Sequence, residues 1–499
     1  MSTKKKLVVP IVFDAFHYHT EKPLLSWVFE MYSNYCVNNN MSLIAQENYF
    51  NQEINALNKT YEKPNENIEE KRKINAETKK FKKYSITNEE TLSISGGKRA
   101  TLKDQINFIS NTNTNYIGFI NNKLDKIEKD YSKKVDAILT WSWNPSLENI
   151  VKQRNLQLIT QELSSVRKVN YRMTLSYFSF ADKFDNDYCL NLFYKFQKEK
   201  QKSLKMLSRE ELLALLLYTE DLKLIKELQK PPIYELGISP PFKNDYLYEI
   251  YKNESLDKTL ATINKMFTPN EVTIRYRIEP DTEIGNPNWY LDNSSRATYW
   301  ILKCKRILTY VSNIAFDAML FGKTVYLLTD NMPFSFKSIN HFQYKDESVV
   351  DTEYLNFMIF GYFVPWDLML NQEYIEWRLT NPPIIDIYTK HQNYIFDKVG
   401  IDKAKDILLS EILKTTHRLE EKEINDIENY SEHTYMESMR EYKESLEEDN
   451  KNLQEEVANN KLKIESLTGE VEEFRSFKKG RIWKTLEKYR KIRTKIKGK

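Results

Sequence analysis

Short apolar runs alternate with helix-like segments through the first half of the chain. The run 7–13 predicts a buried strand, and a helix is expected from about Leu24 to Asn38. Further on, a strand Val135–Trp141, a helix Asn144–Arg154 and a strand Leu156–Glu162 follow one another. An Asn-Pro pair opens this helix, and proline suits the first helical turn. Strand–helix–strand units cross over with a right hand, so the pattern predicts a parallel sheet.

A second α/β set begins after the Pro231-Pro232 pair, which marks a hinge. Its clearest unit is a strand Arg306–Val311, a turn at Ser312, a small apolar helix and a strand Thr324–Leu328. The elements predicted before this unit are the strand Ile233–Leu236, the helix Leu256–Met266, the strand Glu271–Ile278 and the helix Ser295–Cys304. Two such halves predict an α/β protein with two Rossmann-like domains and a ligand cleft between them.

These patterns set the expected domain boundaries. The predicted units are an N-terminal domain over 1–230, a C-terminal domain over 231–430, a coiled coil over 431–476 and a basic amphipathic helix over 477–499. Residues 47–105 are polar and poor in core residues, so we expect an insertion there. The segment Lys198–Leu228 is expected to be helical.

A heptad repeat supports the coiled coil. One seam contains Met439, Leu446, Leu453, Asn460, Leu467 and Phe474, and the other contains Lys443, Asn450, Val457, Ile464 and Val471. β-Branched residues in one seam with leucine in the other favour a parallel dimer, and Asn450 in a seam would fix the register. A single long surface helix is the alternative, but five heptads favour a homodimer.

The last residues carry a separate positive charge. The chain has a net charge of +3, with +11 between Arg475 and Lys499 and −8 on the remainder. Apolar side chains of the predicted helix share one face: Ile482, Leu486, Tyr489 and Ile496, with Trp483 beside them. This pattern predicts binding to an anionic membrane surface rather than to nucleic acid.

The composition excludes several classes of protein. The 499 residues are 41% hydrophobic, which supports real cores, and the 3 cysteines lie far apart, without a zinc or disulfide pattern. The first apolar run is too short for a signal peptide, and no run reaches eighteen apolar residues. We therefore expect a cytoplasmic protein.

The sequence signatures of kinases and dehydrogenases are missing. The segment SGGK at residues 95–98 lacks the P-loop spacing, and no convincing GxGxxG occurs. Asp185-Asn186-Asp187 spells the DxD metal motif, but no single-domain sugar-transferase pattern surrounds it. We expect neither a metal nor a cofactor, which leaves transfer from a nucleotide-sugar between two Rossmann-like domains.

Four segments carry a resemblance to a known family. They read ITQELSSVRKVNYR from residue 159, LGISPPFKNDYLYE from 236, IRYRIEPD from 274 and SNIAFDAMLFGKTVYLL from 312. In their order they resemble the GT-B glycosyltransferases, above all the Kdo (3-deoxy-octulosonate) transferases of bacterial capsule and O-antigen assembly. The resemblance implies a GT-B fold and transfer of an activated sugar to a surface polysaccharide.

The C-terminal half would bind the donor. A helix N-terminus favours anions, so Ser312 and the following amides, from Asn313 on, would hold the donor phosphate. Arg275 and Arg277 would pair with phosphate through charge-assisted hydrogen bonds. The plainer alternative for these two arginines is a solvated strand edge.

Two acidic residues of this half depart from the family pattern. Asp317 stands where glutamate is usual, and it would meet a sugar or ribose hydroxyl unless it is simply a buried hydrogen-bond acceptor. Glu279 stands where the family has histidine. Glutamate repels phosphate, so a UDP-hexose or polyol-phosphate transferase remains an alternative to a CMP-Kdo enzyme.

The resemblance also implies the catalytic residues. Asp245 matches the nucleophile of retaining transfer, and Glu162 matches a general acid/base in the acceptor domain. If Glu162 alone acts, direct transfer with inversion of configuration is simpler. The plainer alternatives are that Glu162 caps a helix and that Asp245 is a turn residue. Arg167, Trp141 and Asn144 would bind the acceptor.

The sequence thus predicts a metal-independent glycosyltransferase without a cofactor, peripheral at the inner face of the cell membrane. Its expected partners are a nucleotide-sugar, a lipid-linked glycan acceptor, anionic lipid and a second copy of the chain. The alternative from another class is a non-catalytic scaffold of a polysaccharide synthase complex.

Overall fold

The computed structural model describes most of the first 399 residues. The described residues are 5–13, 25–51, 81–95, 101–182, 185–200, 204, 206–218, 230–241, 246–276, 285–294, 296–343 and 350–399, with 485 and 488. The predicted coiled coil lies outside them, and so does the predicted basic helix apart from Thr485 and Lys488, which are helical and exposed. Among the described helices, none is long and apolar enough to cross a membrane.

Twelve strands are described. They are β1 (Val8–Val12), β2 (Ser42–Gln46), β3 (Lys82–Ile86), β4 (Ala137–Thr140), β5 (Gln157–Leu163), β6 (Leu175–Ser179), β7 (Tyr234–Ser239), β8 (Val272–Ile274), β9 (Tyr290–Leu291), β10 (Cys304–Thr309), β11 (Thr324–Leu327) and β12 (Val364–Pro365).

Helices connect these strands. They are α1 (Ser26–Asn39), α2 (Glu47–Asn51), α3 (Asn88–Ile94), α4 (Leu102–Ser110), α5 (Thr114–Tyr131), α6 (Pro145–Arg154), α7 (Asn186–Glu199), α8 (Arg209–Leu216), α9 (Tyr246–Tyr251), α10 (Leu256–Met266), α11 (Ala297–Lys303), α12 (Ile314–Leu320), α13 (Thr352–Asn356), α14 (Trp366–Met369), α15 (Gln372–Arg378) and α16 (Ile384–Val399). A π-helical turn, Phe357–Tyr362, follows α13 directly.

The first sheet has seven strands in the order β12-β6-β5-β4-β1-β2-β3. The strands from β5 to β3 run parallel, whereas the pairs β5–β6 and β6–β12 at one end are antiparallel. The predicted strand–helix–strand unit is present as β4–α6–β5, with Ile138 opposite Leu158. Asn144 caps α6 and Pro145 occupies its first turn, so the local sequence explains where this helix begins.

The second sheet has five parallel strands in the order β11-β10-β7-β8-β9. The unit β10–α12–β11 matches the strand–helix–strand prediction, with Leu308 opposite Tyr326. α10 spans the predicted Leu256–Met266, and the side chain of Ser255 caps it. The described chain is therefore an α/β protein with two largely parallel sheets.

Within the segment predicted as a polar insertion at 47–105, residues 82–86 form a strand of the first sheet. β3 pairs in parallel with β2, placing Tyr84 opposite Ile44. As an edge strand it needs few apolar residues, which fits the polar composition of this part of the chain. Capping boxes that begin at Thr87 and Thr101 start α3 and α4.

The predicted helix at Lys198–Leu228 is also replaced by another arrangement. α7 ends at Glu199, and α8 starts afresh at Arg209 after a capping box formed by Ser208 and Glu211. A capping box satisfies the free N–H groups of a new helix start, so it favours two helices over one. Residues 219–229 lie outside the described part.

A late segment of the described chain, residues 364–379, returns to the first sheet. β12 pairs with β6, and Met369, Tyr374 and Ile375 pack in the core of the first sheet. The Gln161 side chain donates to the Met369 carbonyl at 3.0 Å. The predicted boundary gave all of 231–430 to the second half, whereas residues 364–379 pack with the first.

Candidate active site at the end of strand β5

The end of β5 meets the start of α12, and this contact joins the two sheets. Glu162 is half-buried on β5 and stands opposite Tyr177 of β6. Directly opposite residues of an antiparallel pair share one face of the sheet. The Tyr177 hydroxyl donates to Asn313 Oδ1 at 2.7 Å, which places Glu162 on the face that contacts the second half.

Asn313 has both of its side-chain polar groups engaged in this contact. Its Nδ2 donates to the Leu163 carbonyl at 3.2 Å, while its Oδ1 accepts from Tyr177. The sequence predicted Asn313 as a donor ligand, and that role stays a prediction. What the structure adds is a contact with the strand that carries Glu162.

Asp317 lies one helical turn after Asn313. It is buried, and its Oδ1 accepts from the Tyr171 hydroxyl at 2.8 Å. Burial raises the pKa of Asp317 to about 6, although the Tyr171 and Ser165 hydroxyls and the positive charge of Arg167 pull it down. The structure thus places Asp317 as a buried acceptor, which was the plainer of its two predicted roles.

The raised pKa makes Asp317 a source of pH-dependent stability. Because the folded pKa exceeds the ordinary value, the native state binds more protons than the unfolded state between about pH 4 and 6. Stability should therefore fall as the pH rises through this window, by up to about 3 kcal/mol. The asparagine in Asp317→Asn cannot ionise. In urea unfolding, the free energy of unfolding of the variant should therefore rise relative to that of the wild type between pH 5 and pH 8. Parallel pH profiles would contradict this, and the exposed Asp330→Asn is the control.

Glu162 and Arg167 set the charge of this region. The negative charge of Glu162 adds to burial in raising the pKa values of Tyr32 and Tyr177. The Arg167 guanidinium lowers the pKa of Tyr177, and its Nε donates to the Ser164 carbonyl at 2.7 Å. A half-buried carboxylate beside a cation and hydroxyl groups is an arrangement suited to proton transfer.

Two of the three predicted acceptor residues, Trp141 and Asn144, lie after β4, whereas Arg167 follows β5. Trp141 is only 5% exposed, and its ring packs edge-on against Trp27 at 4.6 Å. Asn144 is buried, and its Oδ1 accepts from Leu147 N at 3.0 Å as a helix cap. Trp27 also lies 6.5 Å from Trp366, so half-buried tryptophans that the sequence did not single out surround the end of β4.

The predicted donor residues lie after β10 and β8. Ser312 Oγ accepts from Ile314 N at 3.4 Å, and the helix itself begins at Ile314. Arg275 forms an ion pair with Asp292 and donates to the Ser294 carbonyl at 2.8 Å, so its guanidinium is not at a solvated edge. Asp245, Arg277 and Glu279 lie outside the described residues.

The DxD segment has a structural position in the described chain. Asp185 caps α7, accepting from Tyr188 N at 2.8 Å. In the described residues, no group of three or more His, Cys, Asp or Glu side chains is placed to hold a metal ion.

Sequence reasoning missed Tyr171 and Tyr177, which link the halves. The chain has 32 tyrosines, so composition singles out none of them. Side chains alternate between the two faces of a strand, and on β6 this places Tyr177 on the same face as Glu162. That alternation is the signal that could have identified Tyr177.

Comparison with known proteins gives one family match. Residues 91–187 match the model of the glycosyltransferase 99 family N-terminal domain. This segment contains β4, α6, β5 and β6, and with them every candidate residue of the first half. No curated protein matches the chain.

Several solved structures are similar at low identity. Thermosulfurimonas dismutans KpsC, a beta Kdo 2,7 transferase, is 11% identical over 47% of this chain and 78% of that chain, with a TM-score of 0.30. The wall teichoic acid polymerase TagF is 12% identical over 85% and 90%, with a TM-score of 0.20. A glycosyl transferase family 9 protein of Veillonella parvula is 7% identical over 67% and 84%, also with a TM-score of 0.20.

These TM-scores are too low to indicate a shared function, so the family match over residues 91–187 is the informative similarity. It agrees with the resemblance seen in the sequence motifs. The chain is thus an α/β protein with a glycosyltransferase-family segment, and sugar transfer is the general activity that these findings support.

Proposed function

We propose that this protein transfers a sugar from a nucleotide-sugar donor to a growing, lipid-linked bacterial surface polysaccharide. The observation that carries the proposal is the position of Glu162. It lies at the carboxyl end of β5, within the family-matched segment, and opposite Tyr177, whose hydroxyl donates to Asn313 at the start of α12. Ligands of open parallel sheets bind outside the carboxyl ends of the strands, which is where these elements meet.

In this proposal Glu162 exchanges a proton with the acceptor hydroxyl. The donor phosphate lies at the turn that begins with Ser312, near Arg275 and Arg277, where amides and cations neutralise the leaving group without a metal. If Asp245 attacks the donor carbon, a covalent intermediate forms and configuration is retained. If only Glu162 acts, the acceptor attacks directly and configuration inverts.

The donor is a CMP-Kdo-like sugar or a UDP-sugar. The replacement of the family histidine by Glu279 favours the second class, a hexose or polyol-phosphate transferase. The acceptor contacts Arg167 and the aromatic edge around Trp141. The segment 477–499 holds the enzyme at the inner face of the membrane, as a dimer formed through 431–476.

A panel of CMP-, UDP-, GDP- and CDP-activated donors tests the proposal. We expect the full chain to release nucleotide from one donor class and to extend a lipid-linked glycan primer. The absence of both binding and turnover across the panel would contradict the enzyme and favour a scaffold. Flotation with anionic liposomes tests the tail, since a chain ending before Arg475 should lose binding that the full chain shows.

A further inference from the structure

Leu163 stands opposite Ser176 of β6 at the end of β5, and its backbone also bonds to two side chains. The pairing of β4 with β5 ends at Thr140 and Thr160, before Leu163 is reached. Backbone N–H and C=O groups inside a fold are almost always paired. The Leu163 N–H donates to Glu162 Oε1 at 3.0 Å, and its carbonyl accepts from Asn313 Nδ2 at 3.2 Å.

Tyr177 determines which way the Asn313 amide faces. Its hydroxyl donates to Asn313 Oδ1 at 2.7 Å, so the Nδ2 group points at the Leu163 carbonyl. Burial and the charge of Glu162 raise the pKa of Tyr177 well above its usual value, so the hydroxyl stays protonated and acts as a donor.

The ring of Tyr177 is fixed by aromatic neighbours. Phe363 packs edge-on at 5.1 Å and Tyr362 edge-on at 6.0 Å. Such edge-to-face pairs have preferred geometries that restrain both rings. Tyr362 ends the π-helical turn, and a π-helical turn of this kind often marks a functional position.

We propose that Tyr177 and Asn313 are positioning residues for the Glu162 carboxylate. The Tyr177 hydroxyl donates to Asn313, and Asn313 donates to the Leu163 carbonyl. The N–H of Leu163, which belongs to the preceding peptide group, donates to Glu162, so the link passes through the Leu163 backbone. Neither residue touches the reacting atoms. The inference rests on the proposed function, and it gives Asn313 a role in orienting the base in place of direct donor contact.

The same hydrogen bonds connect the proposed donor site with the proposed acceptor site. Asn313 directly follows Ser312, at the turn proposed for the donor phosphate, while Leu163 directly follows Glu162 on the acceptor side. A donor that shifts this turn would change the orientation of the carboxylate. Misplacing a catalytic group by about 1 Å costs on the order of 100-fold in rate.

Kinetics of Tyr177→Phe test the inference in the full chain. We expect kcat to fall about ten-fold, within the range for partial misplacement, while the donor KM changes less than about two-fold. In a Glu162→Gln background the same substitution should cause no further loss, because its effect passes through Glu162. Tyr388→Phe is the matched control, since it removes a buried tyrosine hydroxyl from Asn356 Oδ1, at 3.3 Å, away from β5.

Equal losses from Tyr177→Phe in both backgrounds would overturn the inference. Crystal structures give a readout that does not need turnover: in Tyr177→Phe and in Asn313→Ala, Glu162 should leave the Leu163 N–H. A carboxylate that keeps its place in both variants would overturn positioning even if transfer is observed. If the carboxylate moves but no donor is turned over, positioning stands and the proposed function fails.

Discussion

Replacing Glu162 with glutamine should lower the rate of sugar transfer about 1,000-fold, in the middle of the range for loss of a general acid/base. Glutamine keeps the size of the side chain and the oxygen that accepts from Leu163 N–H, so the fold should be retained. It cannot exchange a proton at neutral pH, so the chemical step should slow while donor binding is preserved. Initial rates at saturating donor, with donor affinity from calorimetry, measure the two effects separately.

Glu148→Gln provides a matched control for this substitution. Glu148 lies in the first turn of α6, within the same family-matched segment, and pairs with Lys152 on the surface. Its replacement should leave the transfer rate within about two-fold, since an exposed i,i+4 pair contributes only tenths of a kcal/mol. A Glu162→Gln protein as active as this control would remove Glu162 from the mechanism.

Replacing Arg275 with alanine should produce the largest loss of stability. The side chain of Asp292 is 1% exposed and that of Arg275 is 17% exposed, so the substitution leaves a buried carboxylate without its partner. Breaking a buried ion pair in this way costs about 3–5 kcal/mol. Urea unfolding followed by tryptophan fluorescence should show the change, because Trp289 is buried in the apolar cluster that contains Ile274, the neighbour of Arg275.

A double replacement separates the two roles of Arg275. Apolar residues of similar size, as in Arg275→Met with Asp292→Leu, should restore most of the stability, because they leave no buried charge unpaired. If Arg275 also binds the donor phosphate, the restored protein should still show a raised donor KM. Wild-type donor KM in the double variant would assign Arg275 a structural role alone.

The sequence predicted the helix boundaries that are determined by neighbouring residues, such as caps and prolines. The Asn-Pro start of α6 and the serine cap of α10 define helices whose boundaries agree closely with prediction. The unit β10–α12–β11 also has the predicted order, with apolar strands on either side of a short helix that ends at Leu320. Gly322 follows the end of the helix with a φ of 74°. Glu162 was predicted as a site residue because its segment resembles a family motif, and its role stays a prediction.

Contacts distant in sequence could not be predicted in this way. The return of β12 to β6 joins residues nearly 190 positions apart, and a two-residue strand has no pattern of its own. The link from Tyr177 to Asn313 spans 136 positions. Arg275 looked like a free cation on a strand edge because its partner, Asp292, lies on a different segment of the chain. These pairings follow from topology, which one sequence does not display.

The most direct test of the account is the structure of the full chain with a bound donor nucleotide. We expect the nucleotide at the carboxyl edge of the second sheet, with its phosphate at the amides after Ser312. The donor sugar should then lie between this phosphate and Glu162, beside the contact that Asn313 makes with β5. A nucleotide bound elsewhere, with the Ser312 turn unoccupied at a concentration that saturates binding in solution, would contradict the account.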